Sequence, residues 1–243
     1  MQGAVAVRAS CVSSSDELND ALDEARSGDV IKICDGDYTG FRFDMETEGV
    51  TVEAVTHGKV KMHGSSYMEM HGSGNTYAGV EYHGGGSTKP INMRGEGNTI
   101  YNCVINHHDA EKWVEIKGKN NVIRNCRFSE KTNHSGGKQQ LLDIRSLDDL
   151  THNKVLNNVF RNNEFDADTP YGENEHETIR IYVEESNHKG HHTVEGNYFN
   201  NCNVETEVVS VKARYTTVKN NAFEDNKGTL TFRSGDDNLA EGE

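Results

Sequence analysis

A nine-residue pattern recurs six times between residues 74 and 223. Its fourth position is apolar, its sixth is Asn or Gly, and its ninth is an aromatic residue or Ile. The ends of successive copies lie 23, 23, 32, 39 and 24 residues apart, and repeats of this length are typical of solenoid proteins. The copies occupy residues 74–82, 97–105, 120–128, 152–160, 191–199 and 215–223.

The residues within each copy favour β-strands. Short β-prone runs are broken by Asn and Gly, and no amphipathic helix lies between the copies. A leucine-rich or helical solenoid would need such helices, so the pattern predicts an all-β fold, a parallel β-helix. One coil cannot bury its inner face alone, whereas stacked coils share a thin core. A hydrophobic content of only 33% suits a narrow core better than a spherical one.

The sixth position of the pattern is expected to form a corner of each coil. Asn tolerates left-handed backbone angles and can hydrogen-bond to its stacked neighbours, so we predict an interrupted Asn ladder. Its members would be Asn102, Asn125, Asn157 and Asn220. Cys103 and Cys126 follow two of these corners, and we interpret them as buried structural thiols rather than as a disulfide or a metal pair.

Two of the spacings are longer than the others and indicate insertions at about residues 129–151 and 161–190. Insertions in solenoids project from one side, where they often form the wall of a binding surface. The second insertion carries an acidic run at 173–177, which on its own is best interpreted as a solvated loop.

The N-terminal segment is predicted to cap the solenoid. Residues 14–26 have the pattern of a helix, because Ser14 and Glu17 have the spacing of a capping box and a narrow apolar stripe follows. A short strand at 29–34 comes directly afterwards. We divide the single domain, residues 1–243, into a cap with the first coil (1–40), stacked coils (41–235) and a tail (236–243).

Composition limits the partners of this chain. The net charge of −14 argues against general nucleic-acid binding, because contacts with phosphate need a basic surface. An acidic protein can still bind an acidic polymer through a local basic cleft or a bridging metal ion. No run approaches the ~20 apolar residues of a membrane span. The five Cys residues include no Cys-x-x-Cys pair, so a zinc site is not indicated, and at least one thiol stays free.

A stretch near the C-terminus carries the main candidate catalytic groups. Glu205 and Glu207 are two residues apart, so on a strand both carboxylates would leave the same face. Lys212 follows, and Arg233 comes 21 residues later, about one coil of the solenoid. Lys212 lies five residues after Glu207, so the two face the same side only if the strand breaks between them, for instance around Ser210.

These features together resemble polysaccharide lyase family 6, the group of alginate lyases and chondroitinase B. The resemblance covers most of the chain, including the turn Asp35-Gly-Asp-Tyr38 after the predicted cap. The segments Lys131-Thr-Asn133 and Glu177-Thr-Ile-Arg-Ile181 are similar to the family's middle coils. The most specific match is the Glu-x-Glu, Lys and Arg series. The resemblance implies a right-handed, single-stranded parallel β-helix with an N-terminal capping helix.

Residue by residue, the resemblance implies a calcium site and a catalytic pair. Glu205 and Glu207 match the family's calcium-binding acids, while Lys212 matches its catalytic base and Arg233 its assisting arginine. The family's third Ca²⁺ ligand is an Asn, for which Asn174 is the best candidate. The chain departs from the family pattern at Val204, Val211, Ala213 and Ser234.

The implied reaction is β-elimination on a uronate polymer, with alginate as the leading candidate. Ca²⁺ held by oxygen ligands would stabilise negative charge on the uronate carboxylate as the neighbouring C5 proton is removed. Lys212 would accept that proton, and Arg233 would hydrogen-bond to the substrate carboxylate or the leaving oxygen. Four further basic residues are predicted to bind the polymer's carboxylates or sulfates: Lys131, Arg145, Arg180 and Arg214.

Two other functions fit parts of the sequence. The changed residues around Lys212 and Arg233 would also suit a non-catalytic carbohydrate-binding β-helix. A glycoside hydrolase needs two catalytic carboxylates with separated pKa values. Glu205 and Glu207 are a poor pair for that reaction, because both are expected to have similar exposure.

Location and assembly follow from the resemblance as expectations. The family implies a secreted or periplasmic protein. The first residues have too short an apolar core for a signal peptide, so on the residues alone the protein is either cytosolic or has had its export signal removed. The expected partner is an acidic polysaccharide, with neither nucleic acid nor membrane. The chain ends ten residues after Arg233, where the family usually continues through more coils. We therefore expect an open last coil whose strand edges could support self-association.

Overall fold

The computed structural model describes residues 11–86, 89–131, 139–146, 152–156, 158–163, 176–183, 189–203 and 205–243. Two residues with predicted roles, Asn157 and Asn174, lie outside these ranges. The described residues form one helix, α1 (Ser15–Asp23), and 25 β-strands. None of the helical structure in these ranges is long and apolar enough to cross a membrane.

The strands are short, between three and seven residues each. The first nine are β1 (Val30–Ile33), β2 (Gly36–Thr39), β3 (Arg42–Met45), β4 (Thr51–Ala54), β5 (Val60–His63), β6 (Tyr67–Met70), β7 (Thr76–Ala78), β8 (Val80–Gly85) and β9 (Ile91–Met93). The next nine are β10 (Thr99–Tyr101), β11 (Val104–His108), β12 (Lys112–Ile116), β13 (Val122–Arg124), β14 (Arg127–Ser129), β15 (Gln140–Ser146), β16 (Lys154–Leu156), β17 (Val159–Asn163) and β18 (Ile179–Val183). The last seven are β19 (Thr193–Glu195), β20 (Tyr198–Cys202), β21 (Glu207–Val211), β22 (Thr217–Lys219), β23 (Ala222–Glu224), β24 (Thr229–Phe232) and β25 (Leu239–Glu241).

Every third strand joins the same sheet, and neighbouring strands within a sheet are parallel. Sheet A has the order β1-β4-β7-β10-β13-β16-β19-β22-β25. Sheet B has the order β2-β5-β8-β11-β14-β17-β20-β23, and sheet C the order β3-β6-β9-β12-β15-β18-β21-β24. Each coil therefore contributes one strand to each of three sheets, which confirms the predicted parallel β-helix.

The core lies in the narrow space between the three sheets. The apolar fourth position of the repeat points inward from sheet A, and Ile100 there is in register with Tyr77 and Ile123. The aromatic ninth position points inward from sheet B. Its Phe rings stack from coil to coil with centroids 5.1, 4.9 and 4.7 Å apart, at Phe128, Phe160, Phe199 and Phe223.

The structure confirms the left-handed corners predicted at the sixth position of the repeat, but the Asn ladder predicted at that position is wrong. Asn102, Asn125 and Asn220 have φ values of 53°, 54° and 54°, so they do turn the corner in the left-handed region. Their side chains are exposed, however, and the buried ladders use other positions of the repeat. One ladder contains Asn75, Asn98, Asn121 and Asn153, and the other contains Asn158, Asn197 and Asn221. A left-handed corner directs its own side chain outward, so a neighbouring residue must reach the next coil.

The two cysteines of the corner region extend the second ladder. The Cys126 N–H donates to Asn158 Oδ1 at 2.8 Å, and the Cys103 N–H lies 3.4 Å from Cys126 Sγ. Both thiols are free and buried, as predicted. Sulfur is a weak acceptor, so the ladder weakens at these coils while the packing is kept.

Replacing Asn121 with Ala is expected to lower the free energy of unfolding by about 3 kcal/mol. Its Oδ1 accepts from the Asn98 N–H and its Nδ2 donates to the Gly95 carbonyl, both at 2.9 Å, and both partners would lose a buried hydrogen bond. The control is Asn120→Gly, which keeps the left-handed corner at φ 55° and is expected to cost about 1 kcal/mol or less. Denaturant unfolding of both variants checks this, and equal costs would contradict the ladder's importance.

Helix α1 covers the first coil, as predicted, although it ends three residues earlier than expected. The Glu17 N–H donates to Ser14 Oγ at 3.2 Å, and the Glu17 carboxylate accepts from the Ser13 N–H at 2.7 Å. Leu18 is buried against the core, and a disulfide joins Cys11 to Cys34 at the end of β1. The cap is therefore held by both apolar contacts and a covalent bond.

Candidate active site

The candidate groups gather on the outer surface of sheet C, where β18, β21 and β24 lie side by side. The break required between Glu207 and Lys212 is present, but it is not at Ser210. The register with β24 shifts between Glu207 and Val209, which is a β-bulge. The extra residue of the bulge shifts the inward–outward alternation of side chains along β21. Glu207, Ser210 and Lys212 therefore all project from the outer face of sheet C.

Three carboxylates lie at the start of this part of sheet C. Glu177 and Glu205 are buried, and the Glu205 carboxylate accepts a hydrogen bond from the His176 N–H at 2.7 Å. Burial is the main cause that raises the pKa of Glu205 to about 7, and the neighbouring charges of Glu177 and Glu207 raise it further. Negative charge is therefore crowded at this point of the surface.

The two predicted catalytic residues each face one of these carboxylates. Lys212 Nζ lies 3.3 Å from Glu177 Oε1. Arg233, one coil further along, has Nη1 3.4 Å from Glu207 Oε1, and its side chain is 47% exposed. Adjacent strands of a sheet are about 4.8 Å apart, so Lys212 and Arg233 form neighbouring steps on one surface.

The carboxylates of Glu177, Glu205 and Glu207 supply the oxygen donors that Ca²⁺ prefers, but among the described residues they do not form a group whose ligand atoms all lie within 4.8 Å of one another. Glu207 Oε2 is buried and accepts no hydrogen bond among the described residues, so one of its oxygens is left without compensation. A hard cation prefers such oxygen ligands, and it would also relieve the repulsion that raises the pKa of Glu205. The predicted third ligand, Asn174, lies outside the described residues. The calcium site therefore stays a prediction.

A second group of metal-type ligands lies at the other end of sheet C. Ligand atoms of Asp44, Glu69 and His71 are within 4.8 Å of one another. His71 Nδ1 already lies 2.8 Å from Asp44, and Arg94 Nε lies 3.8 Å from Glu69. Ion pairs among these residues account for the grouping.

Two buried carboxylates, Glu115 and Asp143, lie in neighbouring strands beside the candidate site. Asp143 is fully buried and is contacted by Lys112, by Arg145 Nε at 3.0 Å and by Arg180 Nε at 2.8 Å. Burial alone would raise the pKa of Asp143, but the hydrogen bonds and charges of Arg180 and Lys112 outweigh it and hold the pKa below its ordinary value.

The Glu115 carboxylate is also surrounded by cationic side chains. The side chains of Lys89, Lys112 and Lys117 approach its carboxylate to 2.8, 3.2 and 3.2 Å. Burial raises its pKa, whereas these lysines, Lys89 above all, lower it to about 2. Glu115 is therefore ionised throughout the neutral range and holds several cations at the surface of an otherwise acidic protein.

The four predicted polymer-binding residues fall into different places. Arg145 and Arg180 lie on sheet C next to the site, and Arg180 is in register with Ser210. Lys131 is buried, with its Nζ on the Ala110 carbonyl and above the Trp113 ring. Arg214 lies beyond the site, 3.3 Å from Asp237. Polymer binding by the four residues stays a prediction.

Sequence reasoning missed several residues that shape this surface. Glu177 belongs to the segment that resembles the family's middle coils, whereas the sequence pattern gives no role to Asp143, Glu115 or Lys117. The nine-residue repeat contains strands of sheets A and B only, so it does not place the strands of sheet C in register. An apolar residue followed by Arg or Lys occurs in sheet C, as at Ile116-Lys117, but it also occurs in sheet A, as at Ile123-Arg124, so this pair alone does not identify the surface.

Comparison with known proteins gives a family match over almost the whole chain. The family model for chondroitinase B matches residues 12–243. By contrast, no curated protein matches the sequence significantly.

Three solved structures of similar fold come from larger proteins. The PL6 family alginate lyase AlyGC has a TM-score of 0.83 at 24% identity, covering 95% of this chain and 34% of its own. A PL6 alginate lyase in complex with a trisaccharide gives 0.82 at 20% identity, covering 96% and 52%. The PL6 polysaccharide lyase Pedsa3628 from Pseudopedobacter saltans gives 0.74 at 22% identity, covering 97% and 58%. This chain spans less than two thirds of each of them, and at such identities the likeness shows the fold.

Proposed function

The chain belongs to the chondroitinase B family, the polysaccharide lyase family 6 type, and from this premise we propose that it cleaves an acidic polysaccharide by β-elimination. The observation that carries the proposal is the pairing of Lys212 and Arg233 on adjacent coils beside the cluster of Glu177, Glu205 and Glu207. The structural relatives are described as alginate lyases, so alginate is the leading substrate.

Lys212 is the proposed base. Its Nζ is part-buried, and Glu177 fixes its position at 3.3 Å. Nζ takes the proton from C5 of the uronate, and the electron pair of the C5–H bond forms the C4–C5 double bond as the C4–O bond breaks. The departing oxygen then takes a proton from the lysine ammonium or from water.

Arg233 is the proposed stabiliser of the leaving side. It is exposed and one coil away from Lys212, so its guanidinium can donate to a substrate carboxylate or to the departing oxygen. Its present partner Glu207 orients it towards the same surface. Arg180 and Arg145, held by Asp143, extend the positive surface on the other side of Lys212.

The proposal includes Ca²⁺ as a cofactor bound beside Lys212 and Arg233. Ca²⁺ held by Glu205, Glu207 and a third ligand, for which Asn174 remains the candidate, would stabilise negative charge on the substrate carboxylate. The buried, uncompensated Oε2 of Glu207 supports this assignment.

The competing function is carbohydrate binding without catalysis. It is favoured by the observation that Lys212 and Arg233 each already face a carboxylate, which would hold both side chains in place. Absorbance of the new C4–C5 double bond, followed in the ultraviolet with alginate and then with dermatan sulfate, separates the two functions. A rise that a chelator stops supports the calcium-dependent lyase, whereas binding of either polymer with no rise supports the binding protein.

Glu205→Gln is expected to change both calcium binding and pH dependence. A carboxyl group with a native pKa of about 7 keeps its proton longer than in the unfolded chain, so the calcium-free protein loses stability as pH rises from about 4.5 to 7. The amide mimics the protonated acid. The chelated variant should therefore match the wild type at pH 5 and exceed it at pH 8 by about 3 kcal/mol.

The same variant should lose most of the rise in melting temperature that calcium gives the wild type. The matched control is Glu195→Gln, which removes a carboxylate paired with Lys219 on sheet A and should leave the calcium response intact. Melting curves at both pH values, with calcium and with a chelator, check the prediction. A full calcium response in Glu205→Gln would remove Glu205 from the site.

A secreted or periplasmic location is part of the proposal. The Cys11–Cys34 disulfide supports it, because disulfides persist in oxidising compartments.

A further inference from the structure

A tyrosine lies beside the candidate base on the outer surface of sheet C. Tyr182 of β18 is in register with Arg145 on the preceding strand. On the following strand its counterpart is Lys212, because Ile181 pairs with Val211 and the Lys212 N–H donates to the Ile181 carbonyl at 2.9 Å. The paired residues before them are buried, so Tyr182 and Lys212 both project from the outer face. Since adjacent strands are about 4.8 Å apart, the phenol and the amine start from neighbouring positions.

The ring of Tyr182 is held by cations, whereas its hydroxyl is left for another partner. The guanidinium carbons of Arg180 and Arg145 lie 5.5 and 5.9 Å from the ring centroid. Both arginines are anchored to the buried Asp143, at 2.8 and 3.0 Å, so the ring lies against a fixed positive surface. Tyr182 is half-buried, and its Oη makes no hydrogen bond with any residue that the structure describes.

The proposed elimination needs a proton on the leaving side as well as a base. Breaking the C4–O bond places negative charge on the departing oxygen, and a proton donated in the same step lowers the barrier. Arg233 can hydrogen-bond to that oxygen, but a guanidinium does not release its proton at neutral pH. A phenol donates a hydrogen bond and can also release its proton. Tyr182 therefore offers the proton chemistry that Arg233 lacks.

The surroundings of Tyr182 favour this release. Two guanidinium groups adjoin the ring, and the Lys212 amine projects from the next strand. Asp143, which anchors both arginines, is fully buried and is also contacted by Lys112, so cations outnumber anions at this point. Fixed positive charge stabilises the negative charge that develops on the phenol oxygen as its proton moves to the substrate.

We propose that Tyr182 is the general acid of the elimination. Its hydroxyl gives a proton to the departing oxygen while Lys212 takes the proton from C5. The C5–H electron pair forms the C4–C5 double bond, and the C4–O pair stays with the oxygen, which leaves as a hydroxyl of the released sugar. The Lys212 ammonium then returns a proton to the phenolate, directly or through one water, so both groups regain their starting states. This assignment rests on the proposed lyase function.

Tyr182→Phe tests the assignment, because it keeps the ring against the two arginines and removes only the hydroxyl. It is expected to lower kcat on alginate about 10²-fold, since general acid catalysis contributes about 10²–10⁴-fold, and to leave the Michaelis constant within about twofold. The measurement is the initial rate of double-bond absorbance with calcium present. The matched control Tyr198→Phe removes a hydroxyl that donates to Glu224 on sheet B and should keep the wild-type rate.

A second substrate separates proton donation from altered packing. In a uronate trisaccharide whose terminal C4 oxygen carries a p-nitrophenyl group, the departing nitrophenolate is stable without a proton. Tyr182→Phe should therefore release nitrophenolate within about threefold of the wild-type rate. Lys212→Ala should lose activity on both substrates, because the C5 proton must be removed in each.

Three results would overturn the assignment, and they are distinguishable. A wild-type rate of Tyr182→Phe on alginate would remove the hydroxyl from the reaction. An equal loss on alginate and on the nitrophenyl compound would mean that the phenol acts through structure alone. A wild-type protein that forms no double bond from alginate, from dermatan sulfate or from the nitrophenyl compound would refute the lyase function itself, and the role of Tyr182 with it.

Discussion

Lys212→Ala is expected to lower kcat for unsaturated product by about 10³-fold, because a positioned general base contributes 10²–10⁴-fold. The Michaelis constant should change little, since most of the basic surface, including Arg145 and Arg180, is retained. Lys212→Arg should not restore the rate, as a guanidinium stays protonated. The measurement is the initial rate of double-bond absorbance at saturating polymer.

The control for this variant is Lys219→Ala, which removes a partly exposed lysine paired with Glu195 on sheet A. It should keep the wild-type rate. Lys212→Ala should also keep a cooperative melting transition, because its side chain is at the surface of a regular coil. Activity within tenfold of the wild type would mean that another group takes the C5 proton.

Asp143→Ala is expected to lower the free energy of unfolding by about 3–5 kcal/mol, the usual cost of removing one partner from a buried ion pair. The fully buried carboxylate lies among Lys112, Arg145 and Arg180, and its loss leaves these cations close together without their common partner. For a domain of this size the melting temperature should fall by roughly 10 °C. Denaturant unfolding at neutral pH gives the free energy directly.

Asp37→Ala is the matched control for Asp143→Ala. Its side chain is 73% exposed on sheet B and pairs with His63, so its loss should cost less than about 1 kcal/mol. Asp143→Asn keeps the shape and removes the charge, and it should fall between the two. Equal costs for Asp143→Ala and Asp37→Ala would show that the cation network does not stabilise the fold.

The architecture could be predicted from the sequence because each position of the repeat has its own residue preference. The apolar fourth position of the repeat lies in sheet A, and the aromatic ninth position lies in sheet B. The stacked rings of Phe128, Phe160 and Phe199 confirm that alignment. Corner preference alone predicts the wrong Asn for the ladder, because it does not determine the direction of the side chain. Asn also recurs at the second position of the repeat, in Asn75 and Asn98, where it carries the buried hydrogen bonds.

The site was only partly predictable, for a physical reason. Glu205, Glu207, Lys212 and Arg233 were found because their spacing matches a family series. Sheet C follows segments of variable length, so no fixed spacing connects its strands. Strand β12, with the sequence Lys-Trp-Val-Glu-Ile, shows no alternation of polar and apolar residues, and all five of its residues are buried. The charges on it could be placed only once neighbouring coils were in register.

The most direct test of the proposed elimination is the mass of the products from a defined alginate hexasaccharide, with calcium and with a chelator. Elimination moves atoms without adding any, so the masses of the two fragments should sum to that of the substrate, and one fragment should carry the C4–C5 double bond. The proposed function predicts this result with calcium and an intact hexasaccharide with the chelator. Fragments whose summed mass exceeds the substrate by one water would mean hydrolysis and would contradict the lyase assignment.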